Sequence, residues 1–241
     1  MAGFNSKKLL ASLIVVVPII LSSCSEDEDV VNWKSVVWLY DSKNLVTGYV
    51  FPEEMSLFNC TDSIGDSIYL NVDVHGLVVG QRNIRTRKQF ITMSDEEFAK
   101  RYAVFDSMAT QNNDTSFNGK VPIPGNWALA YPIDSISITA DVDYDQKHEA
   151  GSNLSDLVNV KSHSYGKSIL SNYQTSITGV DKHVSDLTKE ELTLFGANYM
   201  GDYNTGYFSF PKSAIPKDCK LTVTYFFSNG QVLSATAKIS M

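Results

Sequence analysis

Three aspartates at alternate positions near the middle of the chain have a spacing that suggests metal chemistry: Asp141, Asp143 and Asp145. Alternate residues of an extended strand point to the same side, and Ca²⁺ prefers several carboxylate oxygens as ligands. The segment does not match an EF-hand loop, because Gln146 and Ser152 stand where that loop needs glycine and glutamate. The spacing therefore predicts a weak calcium site at a strand end, with a solvated strand end as the alternative; no other cofactor is expected.

A turn rich in tyrosine and asparagine is the second candidate site. Its residues with chemistry suited to a ligand are Tyr199, Asp202, Tyr203 and Asn204. An aromatic ring can stack on the apolar face of a sugar while neighbouring amides and carboxylates hydrogen-bond its hydroxyl groups. The composition therefore predicts a weak glycan-binding site, and the alternative is that these tyrosines pack against their own sheet.

The N-terminus has the features of an export signal. Lys7 and Lys8 precede an apolar run, residues 9–21, that is shorter than the roughly 20 residues that span a bilayer. The tetrapeptide LSSC that ends at Cys24 resembles the lipobox of bacterial lipoproteins. The resemblance implies cleavage before Cys24, which then carries the acyl chains that anchor the protein in a membrane. An ordinary signal peptide with a chance cysteine is the alternative.

Four consecutive acidic residues, 26–29, follow the lipobox. Such a run stays solvated. It resembles the acidic export signal of surface lipoproteins in Bacteroidetes-type bacteria, and a plain spacer is the alternative. We therefore expect a signal peptide over residues 1–23, a lipidated cysteine and acidic tether over 24–35, and a single domain over 36–241. The expected location is the outer membrane, with acyl chains as the anchor and the domain facing the cell surface.

The two remaining cysteines, Cys60 and Cys219, form a candidate disulfide, because disulfides persist in exported proteins. A bond that closes so long a loop would stabilise the fold by about 4 to 5 kcal/mol in chain-entropy models. Two buried thiols are the alternative, since sequence does not show whether the two residues are close.

Overall composition argues against several classes of function. A formal net charge of −7 disfavours nucleic acid and anionic lipid headgroups as partners. The sequence contains no zinc-ligand pattern, P-loop, dinucleotide fingerprint or Gly-x-Ser-x-Gly elbow. We therefore expect a protein that is not an enzyme.

Apolar alternation and turn signals predict the fold. Strands are expected at 67–79 and 133–144, and a hairpin is expected at Asn229-Gly230. Capping boxes at Ser94 and Thr188 each predict the start of a short helix. The polar segment 111–119 is expected to be a mobile loop, and 161–182 shows no clear period. The pattern predicts a mainly β fold, an antiparallel β-sandwich of immunoglobulin-like type with two short helices.

One segment carries a family resemblance. The strand ISITADVDY at 136–144, followed by AGSNLSDL at 150–157, resembles a family of small Bacteroidetes lipoproteins known only as a domain of unknown function. The resemblance implies a location and a protein class but no activity. The first functional hypothesis is a non-enzymatic accessory module that binds a glycan or an envelope protein. The alternatives are a structural or assembly component of a surface complex and a hydrolase with an unrecognised site.

Overall fold

The computed structural model describes residues 39–60, 67–80, 83–85, 90–122, 125–196, 207–211 and 218–239. The candidate residues Cys24, Tyr199, Asp202, Tyr203 and Asn204 lie outside these ranges. The strands of the described part are β1 Leu39–Ser42, β2 Gly48–Cys60, β3 Ser67–Val79, β4 Asn83–Arg85, β5 Phe90–Thr92, β6 Gly119–Pro122, β7 Trp127–Leu129, β8 Ile133–Ala140, β9 Asn159–Ser164, β10 Thr178–His183, β11 Tyr207–Pro211, β12 Cys219–Phe227 and β13 Val232–Ile239. The helices are α1 Asp95–Gln111, α2 Gly166–Leu170 and α3 Lys189–Leu192, with a 3₁₀ turn at Val184–Asp186.

Two sheets form a sandwich, which confirms the predicted mainly β architecture. The large sheet has the strand order β10-β9-β11-β3-β2-β7, and the small sheet has the order β13-β12-β8. Neighbouring strands are antiparallel except for β2 and β7, which are parallel. Strand β1 pairs with β6, and β4 with β5, in separate two-stranded sheets. The immunoglobulin-like type is not confirmed, since in the described part of the chain a six-stranded sheet with a parallel edge strand faces a three-stranded sheet.

The sandwich core lies between the inner faces of the two sheets, as the period of two predicts. Strand β3 has the predicted bounds and buries Leu70, Val72 and Val74 on one side, while β12 buries Leu221 and Val223 opposite them. The predicted hairpin is also confirmed. It turns at Gly230, which has a φ of +85°, and Phe227 N–H donates to the Gln231 carbonyl.

The helices start where the sequence predicts but differ in length and number. Ser94 accepts a hydrogen bond from Glu97 N–H at the start of α1, and Thr188 and Glu191 form a complete capping box at the start of α3. Helix α3 ends at Leu192 and is a single turn of four residues. Helix α2 has no side-chain cap, and this explains why no sequence signal marked it.

The outer face of the large sheet has two halves. Over β7 and the adjoining ends of β2 and β3, the side chains of Tyr49, Val79 and Ala128 form a second core with Phe105 of α1 and Ile169 of α2. We call this the helix-side core. The other half, over β11, β9 and β10, carries polar, charged and tyrosine side chains instead. This second half positions the candidate site.

Candidate ligand-binding surface

Strand register brings residues from four strands together on the open half of the large sheet. Asp181 of β10 pairs with Lys161 of β9, and Lys161 pairs with Tyr207 of β11, so their side chains point to the same side. Gly179 and His163 form the neighbouring cross-strand pair of β10 and β9. Tyr69 of β3 completes the set through a ring contact with Tyr207. We call these six residues the open face: Tyr69, Lys161, His163, Gly179, Asp181 and Tyr207.

The two tyrosines give the open face an ordered aromatic element. Their ring centroids lie 5.2 Å apart and the ring planes cross at 83°, the edge-to-face geometry that aromatic pairs favour. Both side chains are half-buried. Because this contact limits how the rings can turn, they present a fixed apolar surface to solvent.

Lys161 lies above this aromatic pair. Its Nζ is 5.8 Å from the Tyr207 ring centroid and 4.0 Å from a carboxylate oxygen of Asp181. A hydrogen bond with the Tyr207 hydroxyl is the main cause that raises the pKa of Lys161, and Asp181 adds a smaller electrostatic contribution. The amine therefore stays protonated, so the open face offers a cation, a carboxylate and an imidazole beside two aromatic rings.

Gly179 leaves a depression in the open face. Among the described residues, no heavy atom lies within 4 Å of a Cβ added at Gly179. The depression has a volume of about 270 Å³, and Lys161, His163, Asp181 and Tyr207 line it together with Gly179. This volume lies just below the roughly 300 Å³ at which small-molecule pockets begin. It suits a ring laid flat on a surface better than a fully enclosed ligand.

Sequence reasoning did not find most of the open face. Tyr207 follows the predicted tyrosine-rich turn, whose own residues lie outside the described part of the chain. Lys161, His163, Gly179 and Asp181 lie in the segment 161–182 that shows no hydrophobic period. The alternation is nevertheless present in β9, where Val160, Ser162 and Ser164 are buried and the two residues between them are exposed. Small polar side chains on the buried face hide this strand from a search for apolar periodicity.

The three aspartates of the predicted calcium site each accept hydrogen bonds from the backbone. Asp141 accepts from Lys220 N–H at 2.7 Å, Asp143 from Ala150 N–H at 2.9 Å, and Asp145 from Lys147 N–H at 2.7 Å. The described residues contain no group of three or more histidine, cysteine, aspartate or glutamate side chains arranged to hold a metal ion. Calcium binding stays a prediction, which a melting curve with millimolar Ca²⁺ tests.

The same hydrogen bonds correct the predicted bounds of the strand. Strand β8 ends at Ala140 rather than at Tyr144, because the chain turns where Asp141 bonds to Lys220 and Gly151 N–H donates to the Ala140 carbonyl. Tyr144 is still buried. The aspartates thus shape the loop that follows β8.

His148 lies between two carboxylates of this loop. Its Nδ1 is 2.8 Å from Asp145 Oδ1, and its Nε2 is 3.2 Å from Asp156 Oδ1. The hydrogen bond with Asp145 is the main cause that raises the pKa of His148, and Asp156 adds to it. The backbone N–H of Lys147 and the imidazole lower the pKa of Asp145. These two contacts of His148 close the loop on itself.

The predicted disulfide is not formed. Cys219 is a free thiol that is fully buried at the start of β12, within the sandwich core. Cys60 ends β2 in the other sheet, and its side chain is outside the described part of the structure. Burial is the main cause that raises the pKa of the Cys219 thiol. Cys219 therefore acts here as a small core residue.

Comparisons with known proteins add no identification: no family model, curated protein or solved structure matches the chain. Among the helices of the described residues, none is long and apolar enough to cross a membrane. The residues of the chain and the geometry of the open face are therefore the basis for inferring a function.

Proposed function

We propose that this protein is a lipid-anchored accessory module of the outer membrane that binds a glycan at the cell surface through the open face. The observation that supports the proposal most directly is the aromatic pair of Tyr69 and Tyr207 beside the depression at Gly179. Sugar rings have apolar faces that stack on aromatic side chains, and their hydroxyl groups need donors and acceptors close by. Lys161 and Asp181 would supply both.

The proposed anchor comes from the sequence. Acylation of Cys24 would hold the domain at the membrane, and the acidic segment would keep the domain away from the lipid surface. The resemblance of this region to surface lipoproteins agrees with a role in capturing a ligand outside the cell. A glycan fits the negative net charge better than nucleic acid does.

The experiment is affinity electrophoresis of the detergent-solubilised full chain through gels that contain xylan, β-glucan, pectin or mucin glycans. We expect at least one polysaccharide to retard the protein. Gly179→Val should abolish the retardation by filling the depression, and we expect it to leave the fold intact, because a Cβ at this position meets no heavy atom of the described residues within 4 Å. Tyr207→Ala should abolish it by removing half of the aromatic pair.

The matched control is Thr222→Val on the outer face of the small sheet. Thr222 has a hydroxyl contact to Thr236 at 2.8 Å and no part in the open face. This variant should be retarded like the wild-type protein. Absence of retardation by all four polysaccharides, or full retardation of Gly179→Val, would contradict the proposal.

A second candidate function is assembly into a surface complex. Phe226 and Val232 are cross-strand partners on the outer face of the small sheet, and they are 38% and 51% exposed. A contiguous patch of exposed apolar side chains is a feature of protein–protein contacts, and these two residues would form its centre. Crosslinking of the tagged full chain in its native cells would test this function. A single envelope partner that is lost with Phe226→Ser would favour assembly over glycan binding.

A further inference from the structure

A second cleft, of about 390 Å³, lies at the edge of the helix-side core. The rings of Phe117 and Tyr173 form one wall, with centroids 5.3 Å apart and planes at 60°. Asn126, Gln174 and Ser176 are among the polar residues that line the rest. The volume is in the range of small-molecule sites, and an apolar wall with a few polar groups is their usual composition.

A buried carboxylate pre-organises this cleft. Asp114 is fully buried and accepts hydrogen bonds from Leu45 N–H at 2.7 Å, Val46 N–H at 2.8 Å and the Tyr173 hydroxyl at 3.0 Å. It therefore ties the chain before β2 and the segment after α2 to the end of α1. Tyr173 has a φ of +62°, which is costly for a residue with a large side chain. The bond to Asp114 helps to hold the aromatic wall in this position.

Lys120 is the single charged residue among the described residues that line the cleft. Its Nζ is 3.1 Å from Asp41, and the two side chains are 45% and 86% exposed. Exposed ion pairs of this kind contribute little to stability. A carboxylate from a ligand can therefore replace Asp41 at Lys120 with little loss of stability.

We propose that the cleft binds a single sugar residue that carries a carboxylate. Its ring would lie against Phe117 and Tyr173, its hydroxyl groups would face Gln174 and Ser176, and its carboxylate would pair with Lys120. This inference rests on the proposed glycan-binding function, and it adds a second site and a sugar class. Residues 174–181 run from the cleft to the open face, so one stretch of chain contributes to both.

Titration calorimetry of the full chain tests the proposal, with glucuronate and galacturonate compared with glucose and galactose. We expect a uronate to bind up to about fivefold more tightly than its neutral counterpart, because one exposed ion pair contributes at most about 1 kcal/mol. Lys120→Gln should remove this preference. Asp41→Asn should strengthen uronate binding about threefold, because it removes the competing carboxylate.

A matched ion pair on the small sheet provides the control. Lys238 Nζ is 3.9 Å from Asp218, and both side chains are similarly exposed. Lys238→Gln and Asp218→Asn should leave uronate binding unchanged. Equal binding of neutral and acidic sugars, or weaker binding in Asp41→Asn, would overturn the proposal.

Gly179→Val separates this site from the open face. If the protein retains polysaccharide but binds no uronate, the proposed uronate site in the cleft is wrong, while glycan binding by the open face still stands. If Gly179→Val loses uronate binding and Lys120→Gln does not, the sugar binds on the open face. This outcome would also overturn the proposed site in the cleft. Loss of uronate preference in Lys120→Gln with full uronate binding in Gly179→Val would support it.

Discussion

The two halves of the outer face of the large sheet share strands but differ in what lies over them. Strand β3 contributes Val79 to the covered half and Tyr69 to the open face. In the covered half, the outward positions are apolar, so helices α1 and α2 pack over them. In the open face, the outward positions hold Lys161, Asp181 and a glycine, which have no need of burial.

The comparison separates residues that hold the fold from residues that are free to bind a ligand. An alternating strand fixes one side of a sheet in the core, and the other side can be used for packing or for recognition. Substitutions in the covered half should therefore affect stability, and those in the open face should affect binding.

The largest effect is expected from Phe105→Ala in the covered half. Phe105 is 4% exposed, and its ring lies 5.7 Å from that of Tyr49. Its removal leaves a cavity, so we expect a loss of about 3 to 5 kcal/mol in the free energy of unfolding measured in urea. Tyr102→Ala on the same helix is the control. Tyr102 is 44% exposed, and an equal loss there would contradict the difference between covered and exposed positions.

The same substitution in the two halves gives the next test. Gly80 has a φ of +98°, and a Cβ there would lie 2.6 Å from the Thr47 carbonyl oxygen and 2.6 Å from the Phe105 ring. Gly80→Ala should therefore cost at least about 2 kcal/mol, since backbone strain and a steric clash add. Gly179→Ala in the open face meets nothing within 4 Å and should be neutral or slightly stabilising. Thermal denaturation of both variants compares their losses of stability. Equal losses would contradict the expected difference between the covered half and the open face.

Alternating large apolar residues make β3 and the last hairpin predictable from sequence. Strand β3 has its predicted bounds, and the hairpin at Gly230 forms as expected. Strand β9 was not predicted, because its buried face carries Ser162 and Ser164. The Ser164 hydroxyl reaches the Glu190 and Thr193 carbonyls at 3.3 and 3.2 Å, so a polar residue is accommodated inside.

The sites were less predictable because they depend on contacts between distant parts of the chain. Segment 111–119 was predicted to be a mobile polar loop, whereas Asp114 in this segment is fully buried. Its hydrogen-bond partners are 59 to 69 residues away in the sequence. The open face likewise depends on the pairing of β9 with both β10 and β11, which no local pattern specifies.

Asp114→Asn is expected to have the third largest effect, at the edge of the covered half. An amide has one acceptor oxygen, so a backbone N–H or the Tyr173 hydroxyl loses its partner, at about 1 to 3 kcal/mol. Burial is the main cause that raises the pKa of Asp114. The wild-type protein therefore binds a proton here more tightly when folded than when unfolded. Its stability should fall as pH rises from the ordinary value of 3.8 through the raised pKa.

Asp114→Asn lacks this titration. The loss in its free energy of unfolding relative to the wild-type protein should therefore be largest at low pH and should become smaller as pH rises. Urea denaturation of both proteins at several pH values measures this loss. If this loss instead grows with pH, the hydrogen bonds from the two backbone N–H groups stabilise the ionised carboxylate by more than burial destabilises it.

The smallest effect on stability is expected from Lys161→Gln in the open face. The lysine pairs with Asp181 at 4.0 Å, and the two side chains are 53% and 68% exposed, so water screens their attraction. We expect a change within about 0.5 kcal/mol in urea denaturation, the usual range for surface positions. Retardation by polysaccharide should nevertheless weaken, because the variant loses the cation beside Tyr207. A large loss of stability would instead show that Lys161 stabilises the fold, as the residues of the covered half do, and would contradict the difference between the two halves.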